Sequence, residues 1–211
     1  LMSRWNDLKS DHEMESVVSR EAAFVLQNML FLAITIAVMW GTVFPLITEL
    51  FTDTKITVGP PYFKQVTGPM FITLVLLMGI TPLLAWRKQS TQKLLLRLAI
   101  PLTGAIAGTV VWALINPKSQ PISLFSTGVM FFVITSILAE FWRGTHIRMT
   151  TRNENPLIAL IKLVANNRRR FGGYIIHLGV VMIALGFIGD AFYKTETQGT
   201  LSKGEALAIG D

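Results

Sequence analysis

Five apolar blocks, each about long enough to cross a bilayer, leave few folds open to this chain. A hydrocarbon core about 30 Å thick takes ~20 apolar residues of helix. The blocks run over about 22–50, 70–86, 94–115, 122–142 and 171–192. Inside lipid every backbone N–H and C=O must be bonded within the protein, so blocks of this kind read as helices. Only 15% of the residues are charged, against about 25% in an ordinary soluble domain, and the mean hydropathy is +0.50. The expected fold class is an all-α polytopic membrane protein: about five transmembrane helices plus interfacial amphipathic helices.

The net charge of +6 could point to nucleic acid. The basic residues, however, stand at the ends of the apolar blocks, and no basic patch is interleaved with aromatics. They are topology information, so membrane lipid is the expected partner and nucleic acid is not. Arg87, Lys88, Lys93 and Arg97 follow the second block; Arg143, Arg148, Arg152, Lys162 and Arg168 to Arg170 follow the fourth. The connections after the first and third blocks carry few. The positive-inside rule then makes the N-terminus cytoplasmic and the C-terminus external, and an odd number of spans agrees. The absence of cysteine excludes a disulfide framework, a thiolate metal site and a cysteine nucleophile. No hydrolytic triad or phosphate-cradling loop is present; Gly104-x-x-x-Gly108 is a helix-packing pattern.

Residues 1–21 are polar and are expected to form a cytoplasmic or interfacial segment, with Ser10 and Glu13 as a capping box and His12 at the surface. The transmembrane bundle is expected over 22–192, with Pro45 a candidate kink in the first span. Before the second span, Val58-Gly-Pro-Pro-Tyr-Phe63 reads as a stiff turning loop. That loop would present Tyr62 and Phe63 at the interface, as aromatic-belt anchors or as a wall of a site. Asn155-Pro156 is an N-cap followed by proline at the first helical position. Leu157, Leu160, Ile161 and Val164 recur at helical spacing, so an amphipathic interfacial helix is expected near 155–167. His146 borders it among basic residues. Residues 193–211 turn polar, with Thr, Gly and alternating apolar residues, and read as the start of a truncated external β domain. Both ends read as cut, so a fragment of a longer protein is expected.

From Phe171 to Ile188 one side chain titrates near neutral pH: His177, roughly 10 Å beyond Arg170 at 1.5 Å per residue. An ionisable group within a span is a functional candidate by default. Three readings stand: a histidine bonded to a neighbouring helix, a metal or heme ligand, or a proton relay. Gly173 and Gly179 flank it and could admit a flat macrocycle. A b-type heme needs a second ligand, and no other mapped span contains a histidine.

Four blocks together resemble one family: Ser19-Arg-Glu-Ala-Ala-Phe-Val-Leu-Gln-Asn28, Gly41-Thr-Val-Phe-Pro45, Val58-Gly-Pro-Pro-Tyr-Phe63 and Gly172-Gly-Tyr-Ile-Ile-His-Leu-Gly179. In order and spacing they resemble the CcmF family, the large heme-lyase subunit of system I cytochrome c maturation. The resemblance implies a middle-to-C-terminal portion of a bacterial inner-membrane protein. It implies a lyase that takes heme from a membrane-anchored heme chaperone. Working with thioredoxin-like, apocytochrome-handling subunits, the lyase joins that heme by thioether bonds to apocytochrome c. It also implies a structural b-type heme (heme b), with His177 at the position of one axial ligand to the iron, and Tyr62 and Phe63 on the face of heme attachment. The family's tryptophan-rich motif, its two external histidines and the partner axial histidine do not occur in this sequence. The fragment is therefore expected to be inactive alone. The competing expectation is a polytopic transporter segment with His177 as proton relay.

Overall fold

The structure is a computed structural model that describes residues 19–52, 56–85, 90–195, 200 and 206. Helices account for all its regular structure: α1 (Arg20–Thr52), α2 (Pro60–Ile80) continued by a 3-10 turn (Thr81–Leu83), α3 (Thr91–Ile115), α4 (Pro121–Arg152), α5 (Pro156–Asn166) and α6 (Arg168–Phe192). Five are long and apolar enough to cross a membrane, and α5 is the short exception. The chain is an all-α polytopic membrane protein. The capping box at Ser10, His12 and nearly all of the expected β segment lie outside the described residues.

Helix α4 is the axis. Over its most apolar stretch 56% of the residues are buried, against 6% for α3 and 17% for α1. It packs on α2, α3, α5 and α6, whereas α1 packs chiefly on α2. The core joins Val75 and Leu83 to Val129, Met130, Phe132, Val133 and Ile137 of α4 and to Leu163, Phe171, Tyr174 and Val181. Outward faces keep large apolar side chains such as Leu50, Leu114 and Ile176 exposed, as lipid-facing helices do.

Small residues set how closely α4 is approached. A Cβ on Gly108 would lie 2.5 Å from Phe131 Cγ, and one on Gly104 would collide with Thr135 Cγ2. The Gly104/Gly108 pattern thus finds its partner on α4, where the Thr135 hydroxyl also donates to Pro101 O at 3.1 Å. Gly79 plays the same part between α2 and α4: Ser136 Oγ donates to its carbonyl at 2.8 Å, and Val133 and Phe132 fill the space above it.

Local boundaries differ from the sequence reading in three places. Helix α4 runs on to Arg152, ten residues past Trp142, through Arg143 and Arg148; it ends at Asn153 in the left-handed region (φ 51°), a conformation asparagine tolerates. Helix α1 is continuous through Pro45. Its N-terminus is set at Ser19, whose Oγ accepts from Ala22 N at 3.2 Å. Asn155 does cap α5, accepting from Leu157 N at 3.3 Å. The α5 face against the bundle is Ala159 and Leu163, with Leu163 seated on Gly144; Leu157 and Ile161 face outward, as an interfacial helix requires.

Candidate functional site

His177 sits on α6 and is half-buried. Its Nδ1 is sealed from solvent and has no hydrogen-bond partner. Whichever ring nitrogen carries the proton, that buried edge leaves a donor or an acceptor unmet, at a cost of about 1–3 kcal/mol. The α6 face toward the core is Phe171, Tyr174, Leu178, Val181, Leu185 and Ile188. His177 lies at the border of this stripe, one turn after Gly173. A Cβ added to Gly173 meets nothing within 4 Å, so the backbone there is uncrowded. Gly179 is different: two residues on, it is turned about 160° or so away and is exposed. Of the two flanking glycines, only Gly173 shares the side of the histidine.

Two turns nearer the basic end lies a cluster the sequence reading did not single out. Glu140, the one acidic residue of α4, is 5% exposed. Its Oε1 accepts from Arg143 Nη1 at 2.7 Å and its Oε2 from Arg170 Nη2. Arg170 Nε also donates to the Tyr174 hydroxyl at 3.2 Å. The guanidinium stands 5.5 Å from the Phe171 ring centre and 5.9 Å from that of Tyr174, and both rings pack on Phe141. The available signal was a lone carboxylate in an apolar block, followed 30 residues on by the end of a run of arginines.

Tyr62 and Phe63 are in the first turn of α2, not on a loop. Gly59 precedes the helix in extended backbone and the prolines fill its first positions, where a missing N–H costs nothing. The two rings close over Gly41 of α1, whose added Cβ would lie 2.6 Å from Tyr62 Cε1. The Tyr62 hydroxyl donates to Ala37 O at 3.1 Å. They belong to the α1–α2 contact, while His177 borders the α4–α6 contact; the described contacts do not bring them together. His146 is exposed on α4, its ring centre 6.5 Å from that of Trp142.

Each end of the bundle is tied. At the basic end Arg20 Nε donates to Leu84 O at 2.8 Å and Nη2 to Pro82 O at 3.0 Å, closing α1 onto the end of α2. At the other end the Tyr193 hydroxyl gathers Trp112 Nε1, Ser119 Oγ and Ser123 Oγ. It borders an open cleft of about 450 Å³ that Lys118 also lines. Among the described residues no group of three or more metal-ligating side chains occurs.

With this geometry in hand, comparison with known proteins is informative. The cytochrome c-type biogenesis protein CycK of Rhizobium meliloti is 27% identical over 196 residues, 92% of this chain and 28% of that protein. CcmF of Escherichia coli K12 is 24% identical over 194 residues, 90% of this chain and 27% of its own length. The chain is a CcmF-family relative. The cytochrome c-type biogenesis protein ccl1 of Rhodobacter capsulatus adds 35% identity over 130 residues, 61% of this chain and 20% of that protein. This CcmF-family relative thus spans about a quarter of the length of the curated proteins it matches. No protein-family model matches it, and no solved structure does.

A heme would find only part of what it needs among these residues. One half-buried imidazole, with Nε2 as the ring nitrogen not sealed by protein and an uncrowded glycine beside it, fits a single ligand position. His146 is not the second ligand: from the Glu140–Arg170 pair it lies six residues further toward the basic end of α4, whereas His177 lies seven residues the other way along α6. The described residues fit half of a two-histidine site.

Proposed function

We propose that this chain is part of a membrane heme lyase that attaches heme covalently to apocytochrome c, and that His177 is one of two axial ligands of a structural b-type heme. The observation that carries this is the half-buried imidazole of His177 within a membrane span, in a chain related over nine-tenths of its length to cytochrome c-type biogenesis proteins. When bound, a b-type heme supplies one-electron redox chemistry. His177 contributes a ring nitrogen; Gly173 leaves the helix surface open beside it. Heme is also the substrate in this reading.

The partners are a membrane-anchored heme chaperone, apocytochrome c and thioredoxin-like maturation subunits. The setting is the bacterial inner membrane, with the basic end of the bundle cytoplasmic and the Tyr193 end external. Tyr62 and Phe63 fix α1 against α2 at the start of α2, on the face where this reading puts heme attachment, and there they contribute to a wall of that site. The test is a visible spectrum of the protein purified from its own membranes, oxidised and reduced. A b-type signal lost in His177→Ala is expected. A colourless wild-type protein, or a signal indifferent to that substitution, defeats the reading.

A further inference from the structure

Glu140 raises a question that stability does not answer. Removing a carboxylate from water is costly, and a buried ion pair is often no better for stability than apolar residues of the same volume. The best-attested use of such a pair is to fix register between helices. Here both carboxylate oxygens are used. Arg143 is a local partner three residues along α4. Arg170 is 30 residues away on α6, and it is held in turn by the Tyr174 hydroxyl and by two ring faces. Phe141 meets Phe171 at 5.1 Å and Tyr174 at 6.2 Å between ring centres, so the first two turns of α6 are locked to α4 by charge and by shape.

The lock shares its side of α6 with the histidine. Seven residues separate Arg170 from His177, which is two turns and a residual rotation of about 20°. Tyr174 lies three residues before the histidine. A rotation or slide of α6 that takes Arg170 off Glu140 therefore carries His177 with it. We propose that Glu140, acting through Arg170 and Tyr174, is a positioning residue that sets the rotation and depth of His177. This rests on the reading of His177 as a heme ligand.

The experiment uses the protein purified from its own membranes and reads b-type heme per polypeptide and its midpoint potential. Glu140→Gln and Arg170→Ala are expected to lower heme content and displace the potential. Arg170→Lys keeps the cation but not the planar fork and is expected to fall between. Arg169→Ala, in the same basic run and with no acidic partner among the described residues, should match wild type. If His177→Ala abolishes the signal while Glu140→Gln and Arg170→Ala leave content and potential unchanged, the positioning role is overturned and the ligand reading stands. An Arg169→Ala effect equal to that of Arg170→Ala also overturns it, since general basicity would then suffice. If His177→Ala keeps the full signal, the ligand reading falls and the positioning role falls with it. Should Glu140→Gln fail to accumulate, the comparison of Arg170→Lys with Arg170→Ala decides, because Arg170 is half exposed and neither change buries a new charge.

Discussion

The Trp112 indole Nε1 donates to the Tyr193 hydroxyl at 2.8 Å across 81 residues of chain, and the two rings meet edge to face with centres 5.7 Å apart. The same hydroxyl lies 2.9 Å from Ser119 Oγ and 2.6 Å from Ser123 Oγ. One phenol thereby joins α3, the start of α4 and the residue just past α6. Tyr193→Phe would strand the indole N–H and remove two hydroxyl partners, at about 1–3 kcal/mol. A lowered thermal midpoint in detergent is the expected result. Ser123→Ala removes one link of several and should cost less.

Close approach of α3 to α4 gives a second expectation. Gly108→Ala would place a methyl 2.5 Å from Phe131 Cγ, and overpacking of this kind costs about 1–3 kcal/mol. Gly179→Ala meets nothing within 4 Å and removes a glycine from a helix interior, so it should be neutral or stabilising by up to about 1 kcal/mol. Unfolding of the two variants side by side checks both signs.

The α4–α6 clamp also has a stability consequence apart from any ligand. Arg170→Ala leaves Glu140 buried with Arg143 as its remaining cationic partner. Since one charge partner stays and Arg170 is half exposed, the loss should be about 1–3 kcal/mol, less than for a fully orphaned carboxylate. Glu140→Leu, which removes the charge itself, is expected to cost less than Arg170→Ala. The reverse order, measured by unfolding, would contradict the account of Glu140 as a buried charge that requires both arginines.

A pH dependence follows from Glu154 in the α4–α5 turn. Lys162 donates to its Oε1 at 2.9 Å and Arg148 donates to both oxygens. The hydrogen bond from Lys162, with that from Arg148, holds the carboxyl below its usual 4.5 against the opposing effect of burial. A folded-state pKa below the unfolded one means the contribution is fully present above about 4.5 and fades as pH falls through the folded value. The stability gap between wild type and Glu154→Gln should be constant near neutrality and shrink below that point. Unfolding measured from pH 7 downward checks it, and a gap that grows on acidification would have the wrong sign.

The length of the apolar blocks determined the membrane class, because only helices satisfy their backbone within a single segment in lipid. The same reasoning located five spans, the Asn155 cap and the anomalous His177. The ends were less legible: α4 passes through Arg143 and Arg148 because Glu140 and Glu154 accept them, partners that no local pattern announces. The Gly-Pro-Pro run reads as a turning loop, yet its prolines occupy the first positions of α2, and Tyr62 packs over Gly41 of α1. Glu140 was visible as a letter but not as a site, since its meaning lies in Arg170 30 residues on. Which side of α6 meets the core, and so where His177 stands relative to it, follows from how α6 packs. What the sequence by itself determined was therefore the set of helices and the one histidine within the fifth span. The tertiary structure alone decided which faces meet, since pairing between helices depends on side chains that touch across long stretches of chain, and only packing brings those together.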